Sequence, residues 1–109
     1  MPATWIRHLA GLAALAALTL SAPKARAEEE FEVRVFKGRI VVEAKGEWHI
    51  NREYPWKVTV GDAKLDRTRF TLTEKEATVR DVPSGPGKLK GAVCSHDSCH
   101  TLERELTIP

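Results

Sequence analysis

Two hydrophobic regimes divide the chain. From Leu9 to Leu20 the residues are almost wholly Leu and Ala, whereas from Phe31 onward apolar and polar positions alternate. A period of two lets one face of a strand be buried while the other meets water. Phe31, Val33 and Val35 alternate with Glu32 and Arg34, and Ile40, Val42 and Ala44 form the next run after a turn marked by Gly38. Further runs follow at Trp56, Val58 and Val60, at Phe70 and Leu72, at Ala77 and Val79, at Leu89, Gly91 and Val93, and at Leu102, Leu106 and Ile108. Helical spacing finds no convincing match in this region, so the expectation is about seven strands.

The breaks between runs carry turn chemistry. Gly46, Gly61-Asp62, Thr73 to Lys75, and Pro83-Ser84-Gly85-Pro86-Gly87 supply residues that fix φ or tolerate positive φ. Short strands at regular spacing with such turns favour an all-β, immunoglobulin-like antiparallel β-sandwich over a barrel. No linker, repeat or low-complexity stretch interrupts the region, so it reads as one domain.

The uninterrupted apolar run has another meaning. Arg7 and His8 precede it as a short basic segment, and Pro23, Lys24 and Arg26 end it. Its length of about 12 residues falls short of the roughly 20 that a membrane-spanning helix needs. Ala25-Arg26-Ala27 offers the small residues of a signal-peptidase site, followed at once by Glu28 to Glu30. Residues 1–27 are therefore expected to be a cleaved secretory signal peptide, and residues 28–109 an exported domain, periplasmic or secreted. No cysteine lies near the cleavage site for lipid attachment, so no membrane association is expected after cleavage.

Processing also changes the charge. The whole chain carries 17 Lys and Arg against 15 Asp and Glu. Losing Arg7, Lys24 and Arg26 leaves 14 basic residues against the same 15 acidic ones. Charges of both signs are interspersed along the mature chain, which lacks the basic stripe of a nucleic-acid binder. The sequence is silent on oligomeric state.

One segment departs from clean alternation. Glu47 to Trp56 gathers two of the three tryptophans and the only tyrosine. Trp48 and Trp56 have two open roles, as core anchors either side of a polar turn or as a rim over the cysteine pair. His49 is expected to be a structural histidine.

A domain of about 82 residues buries a modest fraction of its surface, and a covalent staple helps it. Cys94 and Cys99 are the only two cysteines, and both survive processing into an oxidising compartment, where a disulfide is their default state. The parity of Leu89, Gly91 and Val93 sends Cys94 to the opposite face, with Lys88 and Lys90. The four polar residues Ser95-His96-Asp97-Ser98 place the pair at the mouth of a hairpin joining the last two strands. Such a bridge is both stabilising and reachable. His96 and His100, close in sequence, are candidates to favour thiolate, which makes exchange with another protein's thiols physically possible.

The stretch Gly91-Ala92-Val93-Cys94-Ser95-His96-Asp97-Ser98-Cys99, followed by Leu102-Glu103-Arg104-Glu105-Leu106, resembles the closing hairpin of the periplasmic N-terminal domain of the thiol:disulfide interchange protein DsbD, the disulfide bond corrector domain family. Gly46-Glu47-Trp48-His49-Ile50-Asn51 and Pro55-Trp56-Lys57-Val58 are similar to that family's glycine-aromatic-His-Ile strand and the proline-led strand after it. The resemblance implies an immunoglobulin-like fold and a thiol-disulfide oxidoreductase that passes electrons through a mixed disulfide. It assigns Cys99 to engaging partner proteins and Cys94 to resolving the mixed disulfide. His100-Thr101 stands in place of the aromatic-proline pair that commonly follows the family's second cysteine. The sequence ends at Pro109, so a thioredoxin-like electron donor or a substrate is expected to be a separate periplasmic protein.

Three other roles compete for the same residues. Cys94, His96, Cys99 and His100 include sulfur and nitrogen donors of the kind zinc or copper accepts, but their spacing matches no standard zinc framework. The Cys94 to His100 stretch is also a lengthened form of the C-x-x-C-H haem-attachment pattern, two residues too long. No metal and no cofactor is therefore expected. Finally, the bridge serves equally as a clamp in a non-catalytic exported binding or structural module. No Ser-His-Asp, paired-carboxylate or phosphate-loop arrangement stands out elsewhere.

Overall fold

The computed structural model describes residues 29–109, and the expected signal peptide and its cleavage site lie outside them. The described chain forms nine strands: β1 (Phe31–Phe36), β2 (Arg39–Ala44), β3 (His49–Ile50), β4 (Lys57–Val60), β5 (Ala63–Leu65), β6 (Phe70–Leu72), β7 (Glu76–Arg80), β8 (Gly85–Cys94) and β9 (Cys99–Ile108). Each of the seven alternating runs forms a strand, with Trp56 standing just before β4. The additions are β3 and β5, two and three residues long.

Among the described residues every pairing is antiparallel. One sheet runs β1-β2-β7-β6. In the other, β8 is central and β9 lies along one side of it. Its other side is shared end to end, with β3 against Val93 and Cys94, and β4 against Gly87 to Lys90. Strand β5 then pairs with β4. Treating β3 and β4 as one interrupted lane C and lettering the lanes in chain order gives A-B-E-D on one sheet and G-F-C-C′ on the other. That is the immunoglobulin strand order with one added lane.

The inward-facing residues of the two sheets make the core. Ile40, Val42, Ala77 and Val79 from the first sheet meet Val58, Leu89, Val93, Leu102 and Ile108 from the second. Among the described residues no polar or charged side chain is buried. The hairpin from Phe36 to Arg39 turns through Gly38 at φ +73°, a conformation that L side chains rarely adopt.

Trp56 is fully buried, and its indole lies against Gly91 of β8, where a side chain would occupy the same space. Its Nε1–H donates to the Asn51 carbonyl at 2.8 Å, which satisfies the buried donor and closes the polar bulge between β3 and β4. Trp56 is thus a core anchor. Trp48 is partly buried and packs on the core's edge.

Candidate functional site

Among the described residues the last hairpin is the longest element, ten residues paired with ten, from Gly85 opposite Ile108 to Cys94 opposite Cys99. Side chains alternate across it. Leu89, Gly91 and Val93 face the core, so Cys94 emerges on the outer face with Lys88 and Lys90, as the strand parity predicts. Its sulfur is bonded to that of Cys99, S–S 2.02 Å, with the two Cα atoms 4.0 Å apart. Between them the chain reverses through Ser95 to Ser98. Ser95 donates its backbone N–H to the Ser98 carbonyl at 2.8 Å. The Ser95 hydroxyl accepts from the N–H groups of Asp97 and Ser98, each at 3.3 Å. A serine at the turn's first corner therefore holds the loop that brings the cysteines together.

The two sulfurs do not share one environment. Cys94 is only 7% exposed, whereas Cys99 is exposed. The lanes explain the difference, because Cys94 lies on an interior strand with His49 of β3 on one side and Cys99 on the other. Cys99 lies on β9, whose far side pairs with no strand among the described residues. The expected reachable bridge is thus reachable at one sulfur only, a correction that burial on an interior lane accounts for.

The histidines are also rearranged relative to expectation. His100 follows Cys99 directly, so alternation turns it to the inner side, opposite Val93. There its ring stacks against Trp48, centroids 4.9 Å apart and planes tilted by 37°. Its Nδ1 lies 3.1 Å from each carboxylate oxygen of Glu30. His96 projects from the exposed turn. The histidine that shares the disulfide's face is His49, the cross-strand partner of Cys94. The available signal was the alternation His49-Ile50, in which buried Ile50 forces His49 outward, but the pairing of so short a strand could not be read from sequence. Lys75 fixes the approach to this strand by donating to the carbonyls of Gly46 at 2.8 Å and Trp48 at 2.7 Å.

The residues weighed as metal or haem donors do not converge. Cys94 and Cys99 lie on the outer face with their sulfurs joined, and His100 faces the other side of the sheet. Among the described residues no three His, Cys, Asp or Glu side chains are grouped to hold a metal ion. Among the described residues, two ionisable groups on other elements are shifted. The Arg34 guanidinium is held above its usual value by its hydrogen bond to Glu43, and the Asp66 carboxyl below its usual range by hydrogen bonds from Thr68.

The chemical content of the site is thus a disulfide with one shielded and one open sulfur at a hairpin's end. No protein-family model, curated protein or solved structure matches the chain.

Proposed function

We propose that this domain is an exported thiol-disulfide exchange module that works through Cys94 and Cys99, as the resemblance to the DsbD N-terminal domain implies. The observation that carries the proposal is the unequal exposure of the two sulfurs. A bridge with one open sulfur directs an incoming thiolate to one atom, and exchange rates depend on which sulfur is attacked and on access.

A partner thiolate attacks Cys99 Sγ, a partner–Cys99 disulfide forms, and the Cys94–Cys99 bond breaks with its electron pair leaving on Cys94, which takes up a proton. The partner's second thiolate then attacks its own sulfur in the mixed disulfide and releases Cys99 as thiolate, which is protonated in turn. Two electrons and two protons pass from a partner dithiol to the domain. Run in reverse, the same steps reduce a substrate disulfide. A thioredoxin-like donor and a periplasmic substrate suit the two directions.

A clamp without exchange is the second reading, favoured by the register-matched pair at the end of two long strands. Closing a loop of about 6 residues is worth roughly 2 kcal/mol in the chain-entropy account. Equilibration with glutathione buffers separates the two. Exchange calls for a potential above about −300 mV, the region of labile bridges, and a value well below it leaves the clamp. A Cys94→Ala variant expressed with its leader is expected to accumulate mixed disulfides through Cys99. Their absence from a folded, exported variant would count against exchange.

A further inference from the structure

We propose that the edge of β9 facing away from β8 docks an extended, cysteine-bearing segment of the partner as an added strand, in a register that sets the incoming sulfur beside Cys99. The proposal rests on the exchange reading for its chemistry, but its geometry comes from the backbone alone.

In an antiparallel ladder, opposed residues alternate between pairs that exchange two hydrogen bonds and pairs that exchange none. The carbonyl of Ala92 accepts from Asn51 N–H at 3.0 Å, on the lane C side of β8. It is therefore turned away from β9, which makes Ala92 and Thr101 a non-bonded pair. By alternation Cys94 with Cys99, and Lys90 with Glu103, are non-bonded too. Two observations agree: Ser95 N–H bonds Ser98 one step further on, and the Cys94–Cys99 Cα separation of 4.0 Å belongs with the close, non-bonded class. The N–H and C=O groups of Cys99, Thr101 and Glu103 consequently point away from β8. All three residues are exposed, and among the described residues no strand pairs on that side.

Strand addition to such an edge draws its affinity from main-chain bonds and its specificity from alternate side chains. A strand added antiparallel would make a bonded pair opposite Cys99, with Cα atoms about 5.5 Å apart. That distance lies inside the usual span between disulfide-linked residues. One register thus serves both docking and attack. The side chains of Glu103 and Glu105 lie on the same face as Cys99, so basic residues four and six positions before the partner's cysteine would oppose them favourably. The same two acids disfavour pairing of two copies through this edge, a usual way of protecting an exposed strand.

The probe is the peptide Lys-Val-Lys-Val-Thr-Val-Cys, with glutathione as a thiol that has no strand to add. Both are mixed with the oxidised domain, and the rate of mixed-disulfide formation is compared at equal thiolate concentration. The peptide is expected to react at least tenfold faster. N-methylating its Thr, whose N–H faces β9 in this register, should abolish the advantage, whereas N-methylating the Val before its Cys should not. In the protein, Thr101→Pro removes an outward N–H without breaking a β8–β9 bond, and should slow the peptide while leaving glutathione unchanged. A second readout uses the same peptide with Ser in place of Cys: the backbone amides of Cys99, Thr101 and Glu103 should gain protection from hydrogen exchange. Peptide and glutathione rates that coincide, or β9 amides that the Ser peptide leaves unprotected, would overturn the docking proposal. Protected amides without exchange of either thiol would uphold docking and remove the redox role.

Discussion

A methyl group added at Gly91 would enter the space held by the six-membered ring of Trp56, which is fully buried and has no room to retreat. Gly91→Ala is therefore expected to lower stability by about 1–3 kcal/mol, the usual cost of overpacking a core, measured by urea unfolding. An unchanged midpoint would mean that Trp56 is not held there. His100 makes a different residue-scale case, because its ring lies between Trp48 and the Glu30 carboxylate. A double-mutant cycle between Trp48→Ala and His100→Ala should return a coupling of about 0.5–1.5 kcal/mol, typical of an aromatic pair. Neither contact was legible in the chain. Gly91 read only as an apolar-parity position in a strand, since the indole that needs its missing side chain comes from another lane, and His100 read as a companion of the sulfurs because it follows Cys99. Strand alternation sends adjacent residues to opposite faces, so nearness in sequence misled where parity would have corrected it.

Among elements, the closing hairpin was the most legible, because its alternation is long and its turn is wholly polar. Parity alone gave the outward face of Cys94. What parity could not give was burial, since that depends on whether a strand lies inside or at the edge of its sheet. Lane C shows the limit most clearly: β3 and β4 share one side of β8 but are separated by the Asn51 to Pro55 bulge, so the alternation of β4 carries no information about β3. β5 was invisible for a similar reason, its three residues offering too short a pattern to separate from the preceding turn. The hairpin also permits a direct measure of its bridge. The double variant Cys94→Ala with Cys99→Ala is expected to fold and to lose about 2 kcal/mol, the loop-closure value for so short a ring, in urea unfolding against the oxidised parent. A loss of 4 kcal/mol or more would show that the bridge fixes much more than its own loop.

At the scale of the whole molecule, stability is expected to reside in the apolar layer between the sheets rather than in charge. Among the described residues the core holds no buried charged side chain, and the ion pairs of Arg34 with Glu43, Lys45 with Glu32 and Lys88 with Glu103 all join side chains with 38% or more of their surface exposed. Exposed pairs of this kind contribute little and are screened by salt. Residues 28–109 carry 14 basic and 15 acidic side chains, which leave almost no net charge for salt to relieve. Asp66 follows the same logic on the acid side. Its depressed pKa supports the fold above the ordinary value of 3.8 and ceases to do so as pH falls through the folded value, but the group is fully exposed, so Asp66→Ala should only slightly flatten the acid limb of the stability curve. The two opposing salt effects, weaker attraction within pairs and weaker repulsion overall, are both small here. Raising NaCl from about 0.05 to 0.5 M, which shortens the screening length severalfold, should accordingly move the thermal midpoint by less than about 4 °C, the shift expected from at most a single modest interaction in a domain of this size. A drop several times larger would place the stability of this sandwich in its surface charge rather than between its sheets.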